Sequence, residues 1–167
     1  MAVSKILRYP NPFLRKQTQR VESPEKLDFS LIQDCLDTLR HSDDGVALAA
    51  NQIGIDLRFF VLDVSRGHFE KHVPEIVFNP EIIEESSEKE SAREGCLSFP
   101  GISVTVSRSK NVVVKFQHRD GSYDVTVAGG FGARVFQHEI DHLEGKLFVD
   151  QLPDRKKIEI VKAMEKR

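Results

Sequence analysis

His138-Glu139-Ile140-Asp141-His142 reads H-E-x-x-H, and these residue types can do hydrolytic chemistry. On a helix, side chains four apart share a face, so both imidazoles can grip one metal ion. Glu139 then stands beside the ion, placed to move protons for a bound water. The alternative is a polar stretch of a surface helix. Two histidines do not complete such a site, because three protein ligands plus an open position are usual. In one metalloprotease class the third ligand is a His six residues past the second, but Phe148 stands there and cannot ligate. Glu159 and Glu165 lie in a strongly charged C-terminal stretch that reads as solvated surface. Upstream, Cys96 within Glu94-Gly95-Cys96-Leu97-Ser98 offers a thiolate, a strong ligand for zinc or iron. A lone Cys also reads as a small buried hydrophobe, and Cys35, on an apolar helical stretch, is read that way. A third segment, Gly45 to Gly54, is small, apolar and flanked by glycine. Small residues let a backbone approach a ligand closely, and Gln52 and Asn51 are the hydrogen-bonding side chains there. A packed strand and turn is its other reading.

Elements must position these residues. Val135, Phe136, Ile140 and Leu143 recur at helical spacing, so the histidines sit on a half-buried helix. Gly129, Gly130 and Gly132 precede it, and Gly145 follows as its C-cap. Leu31, Ile32, Cys35, Leu36 and Leu39 predict a helix over Phe29 to Leu39, capped by Asp28 or Ser30. Arg58 to Val64 reads as a buried strand, and Pro74 to Ile83 as a strand broken by Asn79-Pro80. Ile102 to Val106, Asn111 to Phe116 and Tyr123 to Val127 also read as strands, the last two joined at Asp120-Gly121. The acidic run Glu84 to Glu94 reads as a solvated strand edge or loop. His68 and His72 are expected in an exposed loop between Gly67 and Pro74, and His41 and His118 at ordinary surface positions.

Taken together, GVALAANQ (45–52), EGCLS (94–98) and QHEIDHLEG (137–145) resemble the three motifs of the peptide deformylase family, in order and spacing, over essentially the whole chain. The departure is Ala47, where the family has glycine; its methyl would crowd substrate or alter the backbone there. The resemblance implies an α+β fold, mixed or antiparallel sheets packed around a central metal-binding helix, as one catalytic domain over 1–167. It implies removal of the formyl group from the formyl-methionine of new polypeptides. Cys96, His138 and His142 would hold the metal, and metal-bound hydroxide would attack the formyl carbonyl with Glu139 as general acid and base. Gln52 and the Leu97 backbone N–H would stabilise the oxyanion. The metal would be ferrous iron, with nickel, cobalt or zinc as replacements. The peptide would lie between strands, taking backbone bonds at Gly45 and Val46 and passing Gly95, with Val46, Phe131 and Val135 around the methionine side chain. Glu94 and Arg108 would pair across the Cys96 loop, while Asp141 neighbours His142 and has its own direction.

Two other readings stay open: an amidase that cuts internal peptide bonds, and a family member that binds formyl-peptides without turnover. A net charge of −2 predicts no general nucleic-acid affinity. No long apolar run predicts a membrane span. The first residues are too polar for a signal peptide. Two cysteines make no disulfide framework, which fits a reducing cytoplasm. Residues 154–167 carry six Lys/Arg with Ile158, Ile160, Val161 and Met164 at helical spacing. An amphipathic helix is expected there, docked on the core, and its basic face is a candidate for the ribosome.

Overall fold

The apolar periodicities resolve into helices and strands in the computed structural model, which describes residues 3–66, 69 and 73–165. In chain order the elements are α1 (Phe29–Arg40), β1 (Ala47–Ala49), β2 (Phe59–Leu62), β3 (Ile76–Glu85), β4 (Lys89–Gly95), β5 (Ser103–Ser109), β6 (Asn111–Gln117), β7 (Tyr123–Gly129), α2 (Gly130–Leu143) and α3 (Asp154–Glu165). One sheet runs β1-β2-β3-β6-β7, and β4 pairs with β5 in a second. Every ladder between these strands is antiparallel, so the class is the expected α+β. His68 and His72 lie outside the described residues.

β2 is buried at all four positions because α1 and α2 cover the two faces of the larger sheet there. Phe60 and Leu62 join Phe136, Ile140 and Leu143 of α2 in one core cluster. Phe59 and Val61 join Ile32, Cys35, Leu36 and Leu39 of α1 in another. The Phe60 and Phe136 rings meet edge to face at 5.6 Å. α1 is capped by Asp28, whose carboxylate accepts from the Ser30 N–H at 3.0 Å. α2 touches β1, β3, β6 and β7 of the larger sheet and β5 of the smaller, and so bridges the two.

Three local readings need correcting. The helix of the histidines starts at Gly130, five residues before Val135, because Gly130 takes φ +53 and turns β7 directly into α2. Its other end matches, with Gly145 left-handed at φ +71. Asn79-Pro80 does not break β3. The register shifts between Phe78 and Glu81, and the Asn79 side chain exchanges hydrogen bonds with the Val21 backbone N–H and C=O. A bulge thus absorbs the N–H that Pro80 lacks. The acidic run is not all solvated: it forms the end of β3 and most of β4, and Glu94 is buried.

α3 covers the end of the molecule. Met164 is buried and Ile160 packs beside it on a cluster with Leu14, Leu147, Phe148 and Val149, while Ile158 is 52% exposed. Among the described residues no helix is long and apolar enough to cross a membrane.

Candidate active site

The three chemistry-bearing segments converge on one cleft of about 760 Å³. The segment leading into β1 brings Gly45 to Ala47 to the cleft, and the short 3-10 turn Ala50–Ile53 turns Gln52 inward. The chain leaving β4 carries Gly95, Cys96 and Leu97, and α2 contributes Phe131, Val135, His138 and Glu139. Every residue predicted to bind substrate lines this cleft. Ala47 sits in regular β pairing with Leu62, and among the described residues only Asn79 is a non-glycine with positive φ. The extra methyl therefore strains no backbone; it narrows the cleft wall.

Cys96 Sγ, His138 and His142 offer donor atoms that all lie within 4.8 Å of one another. The thiol lies 3.2 Å from His142 Nε2. A tetrahedral ion with one sulfur and nitrogen ligands would set such a pair about 3.5 Å apart, so the donor set fits a divalent metal with little adjustment. His138 gives Nδ1 to Glu94 at 2.9 Å, which leaves Nε2 for the ion. Gln52 Nε2 reaches Ser98 Oγ at 3.0 Å and Cys96 Sγ at 3.6 Å, while its Oε1 accepts from the Ala49 N–H. The amide is thereby fixed with its donor end toward the ligands. Asn51 donates to the His142 carbonyl at 2.6 Å and ties this turn to the end of α2.

Glu94 is the hub of the polar support. Arg108 grips it with two bonds, at 2.6 and 3.0 Å, and reaches Asp141 with its other nitrogen at 2.7 Å. The expected Glu94–Arg108 pair is present, and Asp141 turns away from His142 to complete it. The sequence reading missed Arg134, which donates to Glu94 at 2.7 Å and to the carbonyls of Val106 and Glu90. Its position four residues before His138 places both on one helix face, a signal that was available.

The charges follow from this packing. Burial would raise the Glu94 carboxyl, but hydrogen bonds from His138 and Arg108 and their charges bring it down to about 2. Burial would lower His138, yet hydrogen bonds to Cys96 and Glu94 outweigh it and hold its proton. His142 is depressed, first by burial and then by the charges of His138 and Arg108. His142 therefore stays neutral, the form of an imidazole that a divalent cation needs. Glu139 is pushed up to about 7, mainly by burial. A carboxyl poised near neutrality can both take and return a proton. Cys35 contrasts with Cys96: it is buried among apolar side chains, and burial drives its thiol up to about 12.

Comparison with known proteins agrees with this geometry. The model of the polypeptide deformylase family matches residues 3–158. A peptide deformylase of Pseudothermotoga lettingae is 42% identical over 171 residues, covering 98% of this chain and 95% of that protein. That of Thermotoga maritima is 44% identical over 150 residues, with 90% and 87% covered. Among solved structures, a peptide deformylase from Legionella pneumophila superposes with a TM-score of 0.88 at 39% identity, covering 99% of this chain and 95% of that one. One from Ehrlichia chaffeensis, in complex with actinonin, gives 0.89 at 31% identity, with 99% and 98% covered.

Proposed function

The chain belongs to the polypeptide deformylase family and is a hydrolase, and we propose that it removes the formyl group from N-terminal formyl-methionine with one divalent metal ion held by Cys96, His138 and His142. The observation that carries this reading is the convergence of those three donors, within 4.8 Å of one another, beside a cleft that Cys96 and His138 line together with Glu139 and Gln52. Ferrous iron is the proposed metal, with nickel, cobalt or zinc as replacements. When bound, the ion supplies Lewis acidity and lowers the pKa of a coordinated water.

The chain's own groups do the rest. Glu139 accepts the proton released by water and returns it to the departing amine nitrogen. Gln52 Nε2, locked by the Ala49 and Ser98 contacts, points a donor at the developing oxyanion. The Leu97 backbone N–H, one residue past Cys96, is the second donor. Gly45 and Val46 just before β1 and Gly95 at the end of β4 offer backbone groups along the cleft, so the peptide lies extended between them. Val46, Val135 and Phe131 enclose the methionine side chain. Arg108, Arg134 and Glu94 hold His138 in its tautomer, leaving the ligand nitrogen free of its proton once the metal is in place.

The substrate class is formylated nascent peptides, met in the cytoplasm. Arg155, Lys156 and Lys162 stand exposed on α3 and support a salt-sensitive contact with the ribosome. Co-sedimentation with ribosomes should weaken as salt rises and when these residues are replaced by Gln; binding indifferent to both would reject that contact. The primary test is turnover of a formyl-methionyl peptide by protein loaded anaerobically with iron or nickel. Formate release that needs metal and is lost in Glu139→Ala is expected. Absence of turnover with one metal bound per chain would reject the assignment.

A further inference from the structure

A second groove, of about 830 Å³, adjoins the catalytic cleft and has a different electrical character. Its walls are the extended segment from Val3 to Arg8, the end of α1 and the residues Leu97 and Pro100. Leu97 and Pro100 also line the cleft, so the two spaces share a wall that begins one residue past Cys96. Among the described residues lining the groove there is no carboxylate, while Lys5 and Arg8 are cationic and exposed and His41 adds an imidazole. This is a local excess of positive charge on a chain whose net charge is −2. Asp43 and Asp44 line the cleft and not the groove.

The basic wall is tied to the site. The Leu7 N–H donates to the Gln52 carbonyl at 2.7 Å, and the Tyr9 N–H donates to the Ser98 carbonyl at 3.0 Å. The Ser4 N–H donates to Thr38 Oγ1 at 2.9 Å. Lys5 and Arg8 thus stand on a backbone anchored to residues that flank Cys96 and orient the Gln52 amide.

We propose that this groove is a downstream subsite, which receives the peptide from about its fourth residue onward and favours aspartate and glutamate there. The inference rests on the deformylase reading, because that reading fixes the peptide's first residue at the metal end of the cleft. An extended residue spans about 3.3–3.6 Å, so three residues carry the chain roughly 10 Å from the metal end, along the wall that Leu97 and Pro100 give to both spaces. Beyond that point the groove presents apolar floor from Ile6 and Leu7 and two cations. Exposed charges attract through screened solvent, so the effect is modest and salt-dependent. It acts equally on bound substrate and transition state, and therefore lowers KM without changing kcat.

The test compares a formyl-Met-Ala-Ser tripeptide with two heptapeptides that extend it by four residues, one set Asp/Glu and the other Lys/Arg. The metal-loaded enzyme and its Lys5→Glu/Arg8→Glu double variant are assayed at low and high salt. The acidic heptapeptide should exceed the basic one about three- to tenfold in kcat/KM at low salt, through KM, and the advantage should vanish at high salt. The double variant should reverse the order and leave the tripeptide rate unchanged. A Lys5→Gln/Arg8→Gln variant should abolish the preference without reversing it. The subsite is overturned if the heptapeptide ratio is the same in wild type and charge-reversed protein, or if the tripeptide loses as much as the heptapeptides. Absence of turnover of every peptide would overturn the deformylase reading and the subsite with it, whereas a tripeptide turned over beside charge-blind heptapeptides would overturn the subsite alone.

Discussion

α2 and α3 are written in similar sequence code and do opposite work. Both carry apolar residues at helical spacing with charged residues between. α2 buries nine of its fourteen residues, including Arg134, Gln137, Glu139 and His142, whereas α3 buries only Met164. The spacing is the same kind of signal in both; what differs is the number of partners around each helix. α2 is enclosed by two sheets and the 45–53 segment, so its polar side chains must find partners inside the protein. α3 meets one cluster of side chains, so its charges stay in water. Burial of polar groups, more than amphipathic spacing, therefore marks the helix that carries the candidate site.

The largest expected departure between the two helices is in activity. Glu139→Ala should lower formate release about 100- to 10,000-fold with metal still bound, read by turnover beside metal content. Loss of metal together with rate would recast Glu139 as a support for the ligands. Next in size is the hub. Arg108→Ala removes a bidentate partner and leaves Glu94 buried with one fewer cation, so metal retention against a chelator should fall about 10- to 100-fold. Arg134→Met should fall less, since the two bonds from Arg108 remain; unchanged retention in both would show that the hub does not hold His138.

Acid sharpens the contrast further. The Glu94 carboxyl goes from an ordinary value of 4.5 in the unfolded chain to about 2 in the folded one. A depressed carboxylate contributes stability that is present above its unfolded pKa and is lost as pH falls through its folded pKa. The metal-free protein should hold its Tm down to pH ~4.5 and lose it progressively toward pH ~2, and a Glu94→Gln variant should have a lower Tm with a flatter acid limb. The smallest effects belong to α3. Met164→Ala should cost about 1–3 kcal/mol in denaturant unfolding, and Ile158→Ala less than about 0.5 kcal/mol, with deformylation unchanged in both. A rate loss in either would join α3 to the site.

How far the site could be read in advance follows the same division. Cys96, His138, Glu139 and Gln52 announce themselves by chemistry and spacing, and the cleft gathers them. The Glu94–Arg108 pair followed from the motif resemblance. Arg134 did not stand out, because an Arg on a helix is ordinarily solvated. Its burial depends on carbonyls of Glu90 and Val106, which belong to strands far off in sequence. The acidic run misled for a related reason: Glu84, Glu85, Glu88 and Glu90 are exposed, and only the pairing with β5 decides that Glu94 faces inward. The α2 boundary moved because a glycine with positive φ lets a strand pass into a helix with no intervening loop. Local pattern fixes element type; which polar residue is enclosed is settled by contacts that no window of neighbouring residues contains.

The hydrogen bond from Asn51 to the His142 carbonyl spans 91 residues, and it bears on the order of synthesis. A ribosome that has delivered Gln52 and Cys96 has made neither imidazole. Contacts of such separation are slow to close, so the catalytic centre comes into being as one late event rather than by accretion. A polypeptide arrested before position 138 carries a thiol at Cys96 with no cation or imidazole to occupy it. Such an incomplete chain would carry one of the three donors and no site for the ion, so competence for the reaction arrives only with α2.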